Sequence, residues 1–364
     1  MKFKSTWLAA CSVFLILQAC SNDIELFRPD QAKTYVVFGL LNSTDPLQQV
    51  KVRMTSVTDA SIGNIDVDST EFITDSSLQV VIQEWHHDNY ALYQLERVWY
   101  PKEPGIFFNV KNDLFETKLV PHTDMDYKLI ITNPDNGDIV ESKISPVPAP
   151  KLGAPTWSWI RYNFSLESDP FNIRYYEVPR GHVYLVRFTI RYIDVMDSGD
   201  TIYSEGHWAF PPVFVDDPPD YSPNHESFGN EHNQHMSKEY AYRVFQQVVP
   251  EPDGVDYRQL ICFEVAVWAG DENLRNYTEL GLKFNDNRKQ VFTNINNGIG
   301  FFGGCSHTDC TGILPDQDFM DFLPMHSRTR DLKFRTTLYR PGAMLPGAYS
   351  RIFPSMQKNI RYDE

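Results

Sequence analysis

Positive charge is scarce in this sequence of 364 residues. Lysine and arginine number 33 against 48 aspartate and glutamate residues, which gives a formal net charge of -15 at pH 7. No run of basic residues interrupts this acidic background. A negative field repels nucleic acid and anionic lipid headgroups, so we expect no nucleic-acid partner.

The common sequence signatures of catalysis are also missing. No G-x-G-x-x-G follows a strand in an alternating βαβ pattern, no G-x-S-x-G occurs, and no two histidines have the H-E-x-x-H spacing. These absences argue against a Rossmann-type cofactor domain, an α/β-hydrolase nucleophile and a zincin-type zinc site. The sequence therefore predicts a protein that is not an enzyme and that holds no cofactor.

Long hydrophobic runs are absent except at the N-terminus. Two lysines precede an apolar stretch over residues 7–17, which is shorter than the roughly 20 residues of a transmembrane helix and typical of a secretory signal peptide. The stretch leads into Leu17-Gln18-Ala19-Cys20, which resembles a bacterial lipobox. We expect residues 1–19 to be removed and Cys20 to carry the lipid. The alternative is an ordinary signal peptide that is cut elsewhere.

Residues 20–33 are predicted to form a lipidated tether. Its acidic start, Asn22-Asp23-Ile24-Glu25, is similar to the export signal of Bacteroidota lipoproteins that face the cell exterior. Several buried acyl chains anchor a protein stably, because each buried CH₂ contributes about 0.8 kcal/mol. We therefore expect a protein anchored in the outer membrane and facing the cell exterior. A flexible polar tether without an export role is the alternative.

Cysteine is also rare, with five residues in the whole chain. Cys11 lies in the signal peptide and Cys20 is the expected lipid site. Cys305 and Cys310 lie close together in a Gly-rich segment, and exported proteins mature in an oxidising compartment. These two residues are therefore candidates for a small disulfide loop. Cys262 lies in a strand-like run and is expected to be a buried thiol.

Aromatic residues and prolines are plentiful, which favours β-structure with many turns over a helical bundle. Residues 34–145 contain six or seven strand patterns and an Asn-Gly hairpin turn, which predict an immunoglobulin-like β-sandwich. Closely spaced prolines predict a semi-rigid linker at 146–155. A second β-rich domain with one or two short helices is expected over 156–364, so the predicted fold class is mainly β.

Periodicity gives more detail within the second domain. Alternating apolar residues predict strands over 184–192, 261–267 and 332–338. Helical spacing predicts one helix after the N-cap Ser237 and a second short helix over 271–280. The glycine-rich run 298–304 is expected to allow close approach of backbones in a sheet rather than to bind phosphate.

Four segments of the mature chain carry a family resemblance: TYVVFGLLNSTDPLQQVKV, PGIFFNVKNDLFETK, YKLIITNPDNGDIV and FTNINNGIGFFGG. Together with the lipobox, they resemble a large Bacteroidota lipoprotein family of unknown function, whose members are often encoded beside TonB-dependent receptors. The resemblance implies a surface location, a transport or binding context and a TonB-dependent receptor as partner. It brings no catalytic residues with it.

Two polar segments contain candidate metal ligands. The six side chains are Asp216, Asp217, Asp220, His225, His232 and His235. Carboxylates suit Ca²⁺ and imidazoles suit Zn²⁺, but neither an EF-hand spacing nor a helical histidine pair is present. We interpret the histidine segment as a solvated loop and the aspartate segment as a rigid loop, and no metal is predicted in either.

Aromatic residues crowd the start of the second region, and most are expected to be core. Trp157, Trp159 and Trp208 are the candidates for an exposed face that binds a peptide or a glycan. We therefore expect a surface-exposed accessory lipoprotein that docks on a TonB-dependent receptor and assists ligand capture or uptake. The alternatives are an adhesin or fimbria-like subunit and a surface hydrolase.

Overall fold

The computed structural model describes residues 33–56, 77–101, 111–164, 170–219, 229–283 and 292–339. The predicted signal peptide and Cys20 lie outside these ranges, so lipid attachment stays a prediction. Strands are much more abundant than helices in the described ranges, which confirms the mainly β fold class. No helix within these ranges is long and apolar enough to cross a membrane.

The described residues of the first part form seven strands. They are β1 (Lys33–Asn42), β2 (Leu47–Ser56), β3 (Gln79–His86), β4 (Asn89–Pro101), β5 (Lys111–Lys118), β6 (Asp126–Thr132) and β7 (Ile139–Ile144). Their side chains alternate between core and surface, as in β6, where Tyr127, Leu129 and Ile131 are buried. Gly137 has a φ of 78° in the turn between β6 and β7, which confirms the predicted hairpin.

In the second part, the residues that the structure describes form nine strands, three α-helices and a 3₁₀ turn. They are β8 (Lys151–Ala154), β9 (Arg161–Tyr162), β10 (Phe171–Tyr176), β11 (Val183–Met196), β12 (Thr201–Ala209), β13 (Val213–Phe214), β14 (Glu231–Met236), α1 (Lys238–Val248), β15 (Val255–Gly270), α2 (Glu272–Lys283), β16 (Ile299–Pro315), α3 (Gln317–Phe322) and the 3₁₀ turn Arg330–Leu332. Helix α1 begins where predicted, because the Ser237 side chain accepts a hydrogen bond from the Tyr240 backbone N–H.

Most strands belong to one large sheet. Its order is β12-β11-β15-β16-β1-β2-β5-β4-β3-β6-β7, with β13 beside β11 and β9 beside β16. A separate small sheet has the order β14-β10-β8. β1 and β16 run parallel, over residues 36–42 and 299–305. This parallel pair joins the strands of the first part to those of the second.

The two larger hydrophobic clusters of the described residues form cores on this framework. The first contains Val37, Ile82 and Leu129 from the first part, together with Ile295 and Phe302 from near the other end of the chain. The second core is built on the long strands β11 and β15 and on helices α1 and α3. β16 serves both cores, because its first half pairs with β1 and its second half pairs with β15. The domain bounds 34–145 and 156–364 stay predictions, but residues 295 and 302 pack with the first core.

The segment before β16 closes the first part. Asn294 Nδ2 donates to the Phe302 carbonyl at 2.5 Å, and the Phe302 N–H donates to Asn294 Oδ1 at 3.0 Å. The Asn296 backbone pairs with Glu141 of β7 through hydrogen bonds of 2.8 and 3.2 Å. The segment therefore brings β7, at the end of the strand order, back to β16.

The immunoglobulin-like sandwich is not confirmed. A sandwich consists of two separate sheets that pack face to face. Here β4 pairs with β3 through its first half and with β5 through its second half, so the strands of the first part form one continuous sheet.

The predicted linker 146–155 is not an unpaired segment. Its second half forms β8, which pairs with β10 in the small sheet. The hydroxyls of Ser306 and Thr308 each donate to a proline carbonyl of the segment at 2.6 Å. Proline removes backbone donors but leaves the carbonyl acceptors, and side chains of β16 use these acceptors.

Two local predictions are wrong. Residues 332–338 form no strand, because Lys333 has a left-handed φ of 62° and only Phe334 makes an isolated β-bridge. The histidine-rich segment is not wholly a loop, since its second half forms β14 against β10. Met236 at the end of β14 is fully buried and ties the strand to the second core.

Candidate functional site: a groove between the two parts

A groove of about 850 Å³ lies where the two parts of the chain meet. The first part lines it with Trp85, His87, Asp126, Tyr127, Lys128, Lys143, Ile144 and Ser145. The second part lines it with Arg180, His182, Asp271, Glu272 and Asn273. Ligand sites are common at such junctions and typically have volumes of about 300–1,000 Å³. This groove is therefore the candidate functional site.

Two lysines stand side by side on the first wall of the groove. Lys128 and Lys143 occupy directly opposed positions on β6 and β7. Lys128 Nζ lies 2.5 Å from Glu141 Oε1, whereas Lys143 is exposed and makes no ion pair within the described part of the chain. Like charges in directly opposed positions destabilise a sheet. Of the two ammonium groups on this wall, only that of Lys128 forms an ion pair among the described residues.

An aromatic ring lies on the same wall as the two lysines. Trp85 faces Asp126 across β3 and β6, one cross-strand step away. The Trp85 ring centroid is 4.8 Å from that of Tyr90, and its indole N–H donates to Gln83 Oε1 at 3.1 Å. Asp126 Oδ1 accepts a hydrogen bond from the Ser145 hydroxyl at 2.6 Å. These contacts fix an aromatic ring and a hydroxyl–carboxylate pair on the same wall.

Arg180 and His182 contribute nitrogen groups from the opposite wall. Arg180 has a left-handed φ of 62°, and its Nη1 donates to the Thr123 carbonyl at 3.0 Å, which links the two parts. His182 Nδ1 lies 3.2 Å from the Val215 carbonyl oxygen. A carbonyl only accepts, so Nδ1 carries the proton in this bond and Nε2 of the neutral ring is an acceptor.

Asp271 is the buried carboxylate of the groove. It accepts hydrogen bonds from the backbone N–H groups of Leu274 and Gly304, both at 2.8 Å, and so caps the start of α2. Burial raises the pKa of Asp271 to about 6, although these N–H bonds act in the opposite direction. Because the backbone uses both of its oxygens, Asp271 shapes the groove wall and has little capacity to bind a ligand.

A second group of charged side chains lies on the face of the large sheet opposite the second core. Buried Arg191 pairs with Glu264 at 2.7 Å and with Glu205 at 2.8 Å. Glu205 also lies 3.1 Å from His207 Nε2. Desolvation by the surrounding protein, followed by the nearby Glu264 charge, raises the pKa of Asp309. These groups largely satisfy one another, and none of them lines the groove.

The structure separates the predicted acidic metal ligands. Asp216 is strongly exposed and pairs with Arg275, whose Nη2 lies 2.5 Å from Asp216 Oδ1. Asp217 is exposed. Asp220 lies outside the described residues. The carboxylate of Asp216 thus bonds a guanidinium instead of joining a set of metal ligands.

The predicted histidine ligands are also separated. His232 Nε2 lies 2.9 Å from Glu177 Oε1, and its ring stacks on Tyr175. His235 is exposed three residues further along β14, so the two rings point to opposite faces. His225 lies outside the described residues. Among the residues that the structure describes, no three histidine, cysteine or acidic side chains come close enough to hold a metal ion.

The predicted disulfide between Cys305 and Cys310 is wrong. Both thiols are free and buried, and both residues lie on the single strand β16. An extended strand separates residues five apart by about 16 Å, far beyond the Cα spacing of a disulfide. Burial raises the pKa of Cys305 to about 12. Cys262 is fully buried, as predicted.

The three candidate tryptophans differ in exposure. Trp157 is 70% exposed and Trp159 is 40% exposed, whereas Trp208 is half-buried and packs against the second core. The Trp208 indole N–H donates to the Tyr240 hydroxyl at 3.0 Å. None of the three lines the groove, so their role as a binding face stays a prediction.

The groove residues Trp85, His87, Lys143, Arg180 and His182 were not identified from the sequence. The sequence does contain a signal for Lys143. The Asn-Gly turn fixes the β6–β7 register and thereby places Lys143 opposite Lys128. The meeting of this hairpin with Arg180 depends on tertiary packing between the two parts, which no local pattern encodes.

No protein-family model and no curated protein matches the chain. The resemblance to Bacteroidota lipoproteins therefore stays a prediction, and any function must be argued from the residues and the geometry.

Proposed function

We propose that the chain is a surface-exposed outer-membrane lipoprotein that docks on a TonB-dependent receptor and assists ligand capture without catalysing a reaction. The observation that carries the proposal is the lipobox Leu17-Gln18-Ala19-Cys20, followed at once by an acidic tether. A lipid on Cys20 would hold the remaining chain at a membrane surface.

The groove supports the ligand-capture part of the proposal. It lies where the two parts of the chain meet, and its walls carry an aromatic ring and several charged side chains. The buried carboxylate in it, Asp271, is committed to backbone N–H groups. An aromatic ring beside charged and polar groups, at a junction of this kind, is typical of ligand-binding sites.

Mass spectrometry of the mature N-terminus tests the anchor. We expect the chain to begin at Cys20 with acyl chains attached, and a Cys20→Ser variant to appear in the soluble fraction. An N-terminus at another residue, or an unmodified Cys20, would overturn the proposed location.

Co-purification tests the partnership. The tagged lipoprotein is extracted from native membranes in mild detergent, and an outer-membrane receptor is expected to elute with it. The Cys20→Ser variant is the matched control, because it keeps the folded body and loses the anchor. Recovery of the wild-type lipoprotein without any receptor would contradict the docking role.

A further inference from the structure

The groove is lined by three cationic side chains, those of Lys128, Lys143 and Arg180, and by three carboxylates, those of Asp126, Asp271 and Glu272. Lys143 lies opposite a second lysine, and only one carboxylate, that of Glu141, pairs with the two. Arg180 enters the same groove from the second part of the chain. A cross-strand lysine pair is unfavourable unless negative charge is supplied, so this wall is suited to a ligand that carries an anionic group.

A simple inorganic anion does not suit the whole groove. Asp126 and Glu272 also line it, and their carboxylates would repel a small anion that fills the space. The same carboxylates, with the amide of Asn273 and the hydroxyl of Ser145, are good partners for hydroxyl groups. The groove therefore offers cations for one part of a ligand and hydroxyl-binding groups for another.

Trp85 supplies an aromatic surface in the groove. Its ring is held by contacts with Tyr90 and Gln83 and lines the groove opposite Asp126, on the strand next to that of Lys128. An indole face packs well against an apolar ring face, while the polar groups around it bind the rim of that ring. Sugar rings have this combination of an apolar C–H face and a polar hydroxyl rim.

We propose that the groove binds an acidic saccharide, with a sugar ring against Trp85 and its carboxylate or sulfate group at Lys143 and Arg180. The hydroxyls of the saccharide bond to Asp126, Glu272 and Asn273. The inference deepens the ligand-capture part of the proposed function and rests on it only for biological context. Binding in the groove requires neither the lipid anchor nor a receptor.

The test is calorimetry on the mature chain carrying Cys20→Ser. The probes are oligogalacturonates and sulfated galactosides, each beside its uncharged counterpart, with sodium sulfate alone as a further probe. We expect at least one acidic saccharide to bind at least tenfold more tightly than its uncharged counterpart. That binding should weaken as the salt concentration rises, because Lys143 is exposed.

Matched variants locate the binding. Lys143→Ala and Trp85→Leu should each weaken binding of the acidic saccharide at least tenfold, whereas Lys143→Arg should retain most of it. Lys118→Ala and Trp99→Leu are the controls, because both side chains are exposed and lie outside the groove. Lys143 is an exposed surface residue, so its replacement is expected to leave folding intact even if Trp85→Leu disturbs it.

Several outcomes would overturn the proposal. They are equal binding of the uncharged saccharides, equally tight binding of sulfate alone, no binding by any acidic probe, and equal losses in the control variants. Each of these results is independent of receptor co-purification. The lipoprotein could dock on a receptor and lack this site, or carry the site and dock on none, so the two proposals fail separately.

Discussion

At the scale of single residues, Gly300 shows how tightly β16 fits against its parallel partner. Its φ is 114°, and a Cβ atom added there would lie 2.0 Å from the Val37 carbonyl oxygen. Only glycine accommodates both the positive φ and this close approach. The glycine-rich run thus serves backbone packing, which confirms the expectation of close approach in a sheet.

Gly300→Ala is predicted to destabilise the protein by about 3 kcal/mol or more, because the methyl group would push β1 away from β16. Gly137→Ala is the control, since Gly137 also has a positive φ but has open space around it. Its expected cost is about 1 kcal/mol from the backbone conformation alone. Equal losses in urea unfolding of the two variants would contradict the packing explanation.

Asp271 gives a pH-dependent prediction at the same scale. Its pKa is about 6 in the folded protein and near 4 in an unfolded chain. Between these values the unfolded chain loses the proton first, so this group's contribution to stability is full below pH 4 and is lost as the pH rises through 6. The effect is on the order of 3 kcal/mol.

The variant Asp271→Asn isolates this effect, because asparagine also caps helices and does not titrate. We expect the melting temperature of the wild type, relative to that of the variant, to fall between pH 4 and pH 7. A difference that stays constant across this range would show that Asp271 titrates at its ordinary pKa.

At the scale of elements, β11 and β15 are joined by a buried ion pair. Arg258 Nε donates to Asp194 Oδ1 at 2.5 Å, and its Nη1 donates to the carbonyls of Pro250 and Leu332. Arg258 is only 2% exposed. Arg258 thus links the two long strands to Pro250, which follows α1, and to Leu332 in the 3₁₀ turn.

Arg258→Met is predicted to cost about 3–5 kcal/mol, because it leaves the Asp194 carboxylate partly buried without its cation. Arg330→Met is the control, since the pair of Arg330 with Asp331 is largely exposed and should have no measurable effect. Chemical denaturation measures both. If the two variants unfold at the same denaturant concentration, the buried pair does not stabilise the strands.

Prediction from the sequence succeeded for elements with a strong local pattern. Helix α1 has its N-cap at Ser237, and the β6–β7 hairpin has its Asn-Gly turn, so both signals lie within a few residues. It failed where tertiary contacts decide. The alternation over 332–338 predicts a strand. In the structure, Arg258 donates a hydrogen bond to the Leu332 carbonyl, and the next residue, Lys333, has a left-handed backbone that interrupts an extended strand.

At the scale of the whole molecule, the two parts share β16. The first core needs Ile295 and Phe302, which lie more than 150 residues after β7. If the chain is divided into two domains at the proline-rich segment, Ile295 and Phe302 are assigned to the second domain although they pack in the first core. The groove likewise depends on contacts between residues that are distant in sequence, because its two walls come from separate stretches of the chain.

A fragment of residues 33–145 is therefore predicted not to fold cooperatively, because it lacks the parallel partner of β1 and two core residues. A peptide of residues 292–306 supplied in trans should restore a cooperative thermal transition, measured by circular dichroism. The same peptide with Phe302→Asp is the control and should not. A fragment that melts cooperatively without the peptide would show that the first part is autonomous.

The pairing of β1 with β16 also determines when the first core can form during synthesis of the chain. A ribosome completes β1 after about 42 residues but reaches the end of its parallel partner segment only near residue 305. Until then the nascent first core has an open sheet edge and an unfilled centre, so it cannot reach its final compact state. A polypeptide that stays loose until most of it has been synthesised remains easy to thread through a narrow translocation pore, which is what the proposed export requires.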